Sequence, residues 1–283
     1  MHISDPIEQL SISHESGSDT SMASISPTGG MLLHLRLAGS ELISSAGRPD
    51  PRTFFMGTVL APWPNRLRDG RYQLDSVSYQ FAGLDAQENL NHGLIGQRKL
   101  DVNSQEQSTI SLSYEFGGDS GYPFEVSLQL RYEITESELR VEAIATNNEP
   151  EPVPFAIGFH PYFLVGEDFE LTGKFSHHVT TDERMLPSGV EEVAGLSYKG
   201  GQIDDCYFGA DRILLRTSTG SVEVVLEENL SHFMFYRPGP DLGSSMLAIE
   251  PMSAAANVFA DSIESVLLVP GESKRFAYLI RKL

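Results

Sequence analysis

Two ionisable residues of this sequence occupy the same unusual local pattern, and their side chains suit proton transfer. His160 lies near the end of PFAIGFHPYF (154–163), and Glu250 ends the segment MLAIE (246–250). Each has a small residue two positions earlier, and each is followed directly by a proline. Side chains alternate between the two faces of a strand. Each group would therefore lie on the face that carries small side chains, while bulky apolar residues occupy the other face. An imidazole and a carboxylate in such hollows can act as general acid and general base.

Two other segments carry residues that could reach a ligand. His92 lies in NLNHGLIG (89–96), where glycines let the backbone approach a ligand closely. Asp204 and Asp205 precede an aromatic segment, and a carboxylate there could bind sugar hydroxyls or cap a turn. Ordinary structural roles are equally open: a histidine can satisfy a buried hydrogen bond, and Glu250 can pair with an arginine at the rim of a sheet.

The segments around these candidates predict strands rather than helices. EVSLQLRYEI (125–134) alternates apolar and polar residues, and ELRVEAIA (138–145) repeats the alternation after a short polar break. The two segments predict an antiparallel hairpin with one wet face. Further strands are predicted in these segments: LHLRL (33–37), RILLRT (212–217), SVEVVLEE (221–228), LAIEP (247–251), ESVLLVP (264–270) and RFAYLIR (275–281). SAAANVFA (253–260) is the best helix candidate, and it is short.

Many short strands separated by turn signals, without an internal repeat or a linker, predict an all-β fold. We expect a large antiparallel β-sandwich that forms a single domain over residues 1–283, with a flexible tail over about residues 1–12. A chain of 283 residues is long for an average domain, but sandwiches reach this size as one unit.

Charge and composition narrow the range of partners. The chain has 39 acidic and 20 basic residues, a formal net charge of −19, which disfavours nucleic acid and anionic membrane surfaces. The charge also favours solubility, and a neutral small molecule suits it best. The single cysteine, Cys206, fits a reducing compartment. No apolar run is long enough to span a membrane, and no secretory signal is recognisable, so we expect a cytoplasmic protein, either a monomer or a homodimer.

Seven stretches, taken in order, resemble the aldose 1-epimerase family, which includes the galactose mutarotases. They extend over about residues 30–281 and are PWPNRLRDGRYQL (62–74), NHGLIG (91–96), GYPF (121–124), PFAIGFHPYF (154–163), IDDCYF (203–208), IEPMSAAANVF (249–259) and VPGES (269–273). Each motif is weak alone, but their shared order makes the resemblance specific. It implies a large antiparallel β-sandwich with a sugar-binding cleft, and interconversion of the α and β anomers of a free aldose such as galactose or glucose.

The resemblance also implies which residues transfer protons. Glu250 matches the general base, His160 the general acid, and His92 the second histidine near the ring oxygen. Small residues beside His160 would leave room for a sugar on the floor of the site. Ring opening by this route needs neither a metal nor a cofactor, and we expect none.

The sugar ligands implied by the resemblance come from two motifs. Asn65 and Arg66 in the first motif, and Asp204 in the fifth, match residues that bind sugar hydroxyls. Asp204 is preferred to Asp205 because it follows the apolar residue and precedes the aromatic one at the usual spacing of the family.

The sequence also departs from the better-known galactose mutarotases near these residues. Phe159 and Pro161 flank the histidine where those proteins have an asparagine and a small hydroxyl residue, and Leu100 stands where a tryptophan is frequent. The HPYF form resembles a divergent, mostly bacterial branch of the family. The acid–base pair is kept, and the sugar specificity is left open.

Three other functions remain compatible with the residues. The same sandwich could bind a carbohydrate without catalysis. The two candidate histidines and Glu250 could form a metal triad, although neither histidine has the H-x-H or H-x-x-x-H spacing typical of such sites. Finally, Arg66, Arg68 and Arg71 could hold the phosphate of a hexose 6-phosphate, which would make the protein a sugar-phosphate 1-epimerase.

Overall fold

The N-terminal strands form a sheet of their own. The structure, a computed structural model, describes residues 6–16, 19–239 and 245–283. Its first four strands pair in chain order: β1 (Leu10–Ser16), β2 (Asp19–Ser26), β3 (Met31–Leu37) and β4 (Ser40–Ser44). Residues 10–12 were expected in a flexible tail and instead begin β1, because Ile12 packs into the core and is only 1% exposed. Residues 1–5 of that expected tail lie outside the described residues.

Five short strands follow the first sheet, and the longest described strands of the chain begin after them. The short ones that follow the first sheet are β5 (Val59–Leu60), β6 (Arg66–Arg68), β7 (Arg71–Leu74), β8 (Val77–Gln80) and β9 (Asn89–Asn91). The middle of the chain forms β10 (Asp101–Gln105), β11 (Thr109–Glu115), β12 (Val126–Ile134), β13 (Glu138–Asn147), β14 (Val153–Pro154), β15 (Gly158–Phe159), β16 (Tyr162–Leu164), β17 (Phe169–Gly173) and β18 (His177–Thr181).

The last third completes the sheets and contains the α-helix of the described residues. Its strands are β19 (Pro187–Glu192), β20 (Leu196–Tyr198), β21 (Asp204–Phe208), β22 (Arg212–Thr217), β23 (Gly220–Leu226), β24 (His232–Tyr236), β25 (Met246–Met252), β26 (Leu267–Leu268) and β27 (Ser273–Lys282). The helix is α1 (Val258–Asp261), and 3-10 turns cover Pro51–Phe54, Ile95–Gln97 and Ile263–Val266.

Two large antiparallel sheets make up the body of the fold. One has nine strands in the order β10-β11-β12-β13-β27-β23-β22-β17-β20. The other has eight strands in the order β19-β18-β21-β24-β25-β15-β5, with β16 also paired to β25. Smaller pairs join β6 to β9, β7 to β8 and β14 to β26. This arrangement confirms the all-β, antiparallel prediction.

The predicted hairpin of residues 125–134 and 138–145 is confirmed, the strands predicted at 212–217 and 221–228 also pair with each other, and two predicted strands are wrong in extent. β12 pairs with β13, and β22 pairs with β23, both antiparallel. The apolar segment 154–163 is not one strand but is divided among β14, β15 and β16. The segment 264–270 contributes only the two residues of β26, because a 3-10 turn takes up the residues before it.

The apolar face of the eight-stranded sheet packs against the nine-stranded sheet. Phe159 of β15 contacts Tyr278 of β27, with ring centroids 4.8 Å apart, and Phe155 lies 6.1 Å from Phe276. These rings are at most 2% exposed, and burial of such apolar area is the main favourable contribution to folding. The opposite face of the eight-stranded sheet therefore remains available for polar groups.

Candidate active site

The acid and base candidates are neighbours on that opposite face. β15 pairs with β25 at Gly158 and Met252, and β16 pairs with β25 at Tyr162 and Ala248. This register places residue 160 opposite residue 250, midway between the two pairs. Nε2 of His160 lies 3.5 Å from Oε1 of Glu250. The parity expected from the sequence therefore brings the two groups together.

Burial shifts the pKa values of these two residues in opposite directions. The side chains of His160 and Glu250 are only 5% and 2% exposed. Burial lowers the pKa of His160 to about 3. Burial raises the pKa of Glu250 well above its usual value, the negative charge of Asp204 raises it further, and Arg66 opposes the rise. The site therefore holds a proton on the carboxyl group more firmly than on the imidazole.

Polar atoms of both residues remain unpartnered inside the protein. Nδ1 of His160 and Oε2 of Glu250 are buried and have no hydrogen-bond partner among the described residues. Most buried polar groups in proteins are hydrogen-bonded. Unpartnered atoms on an acid–base pair are therefore suited to bonding with a polar ligand.

His92 reaches the same place from a loop that only a glycine can support. Its ring stands edge-on to His160, with centroids 5.2 Å apart, and its backbone N–H donates to the carbonyl of Asn65 at 2.9 Å. The next residue, Gly93, has φ +71° and lies so close to Ala61 that a Cβ would be 2.1 Å from its carbonyl oxygen. Burial lowers the pKa of His92 well below its usual value, and the charges of His160 and Arg66 add to this effect.

The predicted sugar ligands form a polar group beside the acid–base pair. The Oδ1 of Asn65 accepts hydrogen bonds from the backbone N–H of Arg66 at 2.8 Å and from its Nη1 at 3.2 Å. Nη2 of Arg66 lies 3.8 Å from Oδ2 of Asp204. Burial raises the pKa of Asp204, and Arg66 opposes the rise. All six predicted residues thus lie in one cluster, because Arg66 and Asp204 also act on the pKa of Glu250.

Asp205 points away from this cluster. Its Oδ1 lies 3.0 Å from Nε2 of His178, and the ring of His178 stacks on Tyr207 at 4.7 Å. Successive residues of β21 alternate faces, so Asp204 faces the acid–base pair and Asp205 does not. The preference for Asp204 agrees with this geometry.

Comparisons with known proteins establish the family. The sequence profile of the family described as aldose 1-epimerase matches residues 9–281. The chain belongs to the aldose 1-epimerase family. It is 26% identical to the protein YihR of Escherichia coli K12 over 299 aligned positions, 97% of this chain and 96% of YihR. It is also 27% identical to galactose mutarotase of Homo sapiens over 157 positions, which cover 51% of this chain and only 44% of the human protein.

Solved structures of low sequence identity share the fold. An aldose epimerase homologue from Caenorhabditis elegans superposes with a TM-score of 0.83 at 17% identity, covering 98% of this chain and 99% of that one. A galactose 1-epimerase from Lactobacillus acidophilus superposes with a TM-score of 0.75 at 17% identity, with coverage of 98% and 99%. The large β-sandwich of this aldose 1-epimerase family member is therefore the fold of those proteins.

The cleft over Arg66 and Asp204 has further walls that the sequence did not indicate. Besides those two residues, Met234 of β24 and Met185 of the β18–β19 loop line it. Met185 has φ +59°, and the loop reverses direction there before entering β19. No sequence motif marks Met185 as a cleft residue, because only the pairing of the sheet brings this loop over β21.

Arg184 fastens that loop to the segment on the other side of the cleft. Its Nη2 donates to Oδ1 of Asp69 at 2.9 Å and to the carbonyl of Glu88 at 2.8 Å, and its Nε donates to the carbonyl of Gln87 at 3.0 Å. In return, Nδ2 of Asn89 donates to the carbonyl of Arg184 at 3.0 Å. These bonds fix the wall next to Met185, so Arg184 positions the cleft without lying in it.

Two tyrosines also adjoin the acid–base pair. The ring of Tyr162 stacks on His160 at a centroid distance of 4.9 Å and an interplanar angle of 14°. Tyr236 pairs in register with Asp204 and is half-buried. Burial raises the pKa of Tyr236, and Asp204 adds to the rise. No sequence motif marks Tyr236 as a neighbour of the site.

The three arginines of the first motif do not converge. Arg66 faces Asp204, whereas Nη2 of Arg71 lies 3.3 Å from Oδ2 of Asp69 and its side chain is 67% exposed. The backbone N–H of Arg68 donates to Oδ1 of Asn257 at 2.9 Å. The guanidinium group of Arg71 therefore does not join that of Arg66 in a phosphate clamp.

The described ranges contain neither a metal-binding cluster nor a membrane-spanning helix. No group of three or more His, Cys, Asp or Glu side chains there is placed to hold a metal ion. No helix in this part of the chain has the length and apolarity needed to cross a bilayer.

Proposed function

We propose that this protein is an aldose 1-epimerase, or mutarotase, that interconverts the α and β anomers of a free aldose such as galactose or glucose. The observation that carries the proposal is the buried pair of His160 and Glu250, 3.5 Å apart, beside the polar group of Arg66 and Asp204. Family membership supports it.

The chemistry requires two proton movements at one anomeric centre. A base removes the proton of the anomeric hydroxyl while an acid delivers a proton to the ring oxygen, and the bond between C1 and the ring oxygen breaks. The open aldehyde then turns about its C1–C2 bond and closes on the other face. Glu250 acts as the base and His160 as the acid, so a pair that carries one proton in total supplies both functions. Each group contributes about 10²–10⁴ in rate.

The pKa shifts suit this division of work. A carboxylate with a raised pKa is a stronger base than an ordinary glutamate, and an imidazolium with a lowered pKa is a stronger acid than an ordinary histidine. The proton can pass between Glu250 and His160 when a bound sugar brings the two groups closer than the 3.5 Å that separates them in the free protein. No covalent intermediate is needed.

The neighbouring polar group binds and orients the sugar. At 3.8 Å, Arg66 and Asp204 are too far apart for a strong hydrogen bond, so both keep bonding capacity for hydroxyls. Nε of Arg66 and Nδ1 of His92 have no partner among the described residues. Asn65 orients Arg66, and His92 assists near the ring oxygen.

Two alternatives are separated from this proposal by one experiment. Anomer exchange would be measured by NMR on galactose, glucose, xylose, arabinose and glucose 6-phosphate, with Glu250→Gln as the control. Fast exchange of a free aldose that is lost in the control would support the proposal. Exchange of glucose 6-phosphate alone would point to a sugar-phosphate epimerase, and binding without exchange would point to a non-catalytic carbohydrate-binding protein.

A further inference from the structure

Asn257 links the chain that follows the base candidate to the strand that carries Arg66. It lies after β25, the strand of Glu250, and directly before α1. Its backbone N–H donates to the carbonyl of Arg66 at 2.6 Å, and its side-chain Oδ1 accepts from the backbone N–H of Arg68 at 2.9 Å. Asn257 is only 1% exposed, so water does not compete for these two bonds.

The two bonds occupy the edge of β6 that faces away from β9. On the edge toward β9, the backbone N–H of Asp69 donates to the carbonyl of Glu88, in line with the pairing of the two strands. Backbone groups of successive residues point to alternate edges of a strand. The carbonyl of residue 66 and the N–H of residue 68 therefore lie on the opposite edge, where Asn257 meets them.

Asn257 supplies what a neighbouring strand would supply at this edge. In a parallel pair, a residue donates to the residue before its partner and accepts from the residue after it. Asn257 follows this pattern around Leu67, with its side-chain carbonyl in the role of a backbone carbonyl. β6 is therefore held on both edges, although no further strand of the described residues pairs with it.

The backbone and the side chain at position 257 both favour asparagine. The φ of Asn257 is +62°, in the left-handed region that glycine and asparagine adopt more readily than other residues. Glycine would fit this conformation but would leave the N–H of Arg68 without its acceptor. Nδ2 of Asn257 has no partner among the described residues, so within them the side chain is held through Oδ1.

A displacement of β6 would move the sugar ligands and leave the acid–base pair in place. Arg66 extends from β6 itself, and His92 directly follows β9, which pairs with β6. Glu250 lies on β25, which pairs with β24, and His160 lies between β15 and β16, which both pair with β25. The bonds of Asn257 therefore act on sugar binding rather than on proton transfer.

We propose that Asn257 is a positioning residue for sugar binding, which holds β6 by its backbone and thereby places the guanidinium group of Arg66 beside the acid–base pair. Asn257 does this from the segment that also carries Glu250, so one stretch of chain supplies the base and fixes the ligand strand. This inference rests on the proposed mutarotase function, in which Arg66 binds a sugar hydroxyl.

The test removes or keeps the acceptor at position 257. Asn257→Gly keeps the left-handed backbone and its N–H but removes the acceptor, whereas Asn257→Asp keeps an acceptor oxygen. Asn229→Gly is the matched control: Asn229 has φ +52°, and its Nδ2 donates to the carbonyl of Arg275 at 2.8 Å, outside the site. The values of kcat and KM for anomer exchange of galactose and glucose would be measured together with Tm.

We expect KM to follow the acceptor and not the stability of the protein. Asn257→Gly should raise KM about tenfold, the worth of one hydrogen bond to a charged group, while kcat changes less than about twofold. Asn257→Asp should restore most of the loss in KM even where its buried charge lowers Tm, and Asn229→Gly should leave KM unchanged. An unchanged KM in Asn257→Gly, or a KM that rises in step with the loss of Tm across the three variants, would overturn the proposal.

A second comparison asks whether Asn257 acts through Arg66. In an Arg66→Ala background the guanidinium group is gone, so Asn257→Gly should raise KM by less than about a further twofold. A further rise as large as that in the wild-type background would overturn the proposal, because the effect would then be exerted elsewhere. If Asn257→Gly does not fold, Asn257→Ser, whose hydroxyl lies one bond nearer the backbone, replaces it in both comparisons with the same expectations.

Failure of the proposed function can be told apart from failure of this inference. Exchange of an aldose with a KM that Asn257→Gly does not change would overturn the positioning role alone. If wild type exchanges neither sugar, the mutarotase function fails, and dissociation constants from calorimetry replace KM. Weaker binding in Asn257→Gly that is restored in Asn257→Asp would then keep the positioning role, and equal or undetectable binding would overturn it as well.

Discussion

Replacing Glu250 by glutamine separates what this carboxylate does for catalysis from what it does to stability. The two side chains have nearly the same shape, and the amide nitrogen of a glutamine can donate to Nε2 of His160 from the position of Oε1, now 3.5 Å away. Oε2 has no partner among the described residues, so the substitution breaks no strong bond within the protein. What it removes is a base and a buried negative charge.

We expect the two properties to change in opposite directions. Loss of the base should lower kcat by about 10²–10⁴, which corresponds to about 3–5 kcal/mol of barrier. Stability should rise at neutral pH. Burial and the charge of Asp204 raise the pKa of Glu250 above its unfolded value, so the ionised carboxylate favours the unfolded state.

The sign of this effect makes it dependent on pH. A group whose pKa is raised on folding stabilises the native state fully below its unfolded pKa and loses that contribution as pH rises through the folded pKa. Below pH 4.5, the ordinary value for glutamate, wild type and Glu250→Gln should have similar Tm values. Above it, the Tm of the variant should exceed that of wild type by a margin that grows with pH, about 2–4 °C for each kcal/mol in domains of roughly this size.

The assay is anomer exchange by NMR together with thermal unfolding from pH 4 to pH 8. Glu106→Gln, at an exposed position far along the chain from the site, is the matched control and should change neither property. A variant with more than a fifth of wild-type kcat would refute the role of Glu250 as base. A variant less stable than wild type at pH 8 would refute the argument that burial of the charge is unfavourable.

Further substitutions test the remaining roles. His160→Asn should lower kcat by about 10²–10⁴, measured by the same exchange assay; an unchanged kcat would rule out the acid role. The pH profile of kcat/KM should be bell-shaped, because the active pair carries one proton. The alkaline limb reports the loss of that proton from Glu250 and should lie above pH 4.5, because the pKa of Glu250 is raised. This limb should be absent from the residual activity of Glu250→Gln. Asp204→Asn should raise KM about 10–100-fold by weakening hydrogen bonds to a charged group, and an effect on kcat alone would contradict a binding role. Arg184→Ala should raise KM more than it lowers kcat because it frees the loop of Met185, and Arg184→Lys should restore part of the loss; equal values in both variants would contradict a positioning role.

The part of this site that lies on strands could be predicted from the sequence, because strand parity is a local property. Alternation alone placed His160 and Glu250 on the faces with small side chains. The proline after Glu250 does not end its strand, because β25 continues to Met252. The pairing of β15 with β25 could not be read from one sequence, since a register between segments about 90 residues apart leaves no local pattern. Only the resemblance to a family indicated that His160 and Glu250 act at one site.

The loop residues of the site were harder to predict for a different reason. Met185 and Arg184 gain their places through hydrogen bonds to backbone carbonyls nearly 100 positions away, and a carbonyl acceptor carries no residue identity. β24 contains several aromatic residues, and only the pairing of Tyr236 with Asp204 shows that this one adjoins the site. Composition and spacing contain no trace of such contacts.

One expectation from the sequence had the right residue and the wrong reason. Gly158 was expected to be small so that a sugar could fit beside His160. In the structure, a Cβ on Gly158 would lie 2.8 Å from Cβ of Pro64 and 3.1 Å from Cγ of Met252. The side chain of Pro64 therefore already occupies that space. Pro64 directly precedes Asn65 and Arg66, the segment that carries the sugar ligands. The glycine therefore lets the loop that bears Asn65 and Arg66 pack directly on β15, the strand that leads to His160. This contact sets the distance from these two sugar ligands to the acid–base pair. A larger residue at position 158 would lift that loop from the sheet and weaken both functions together.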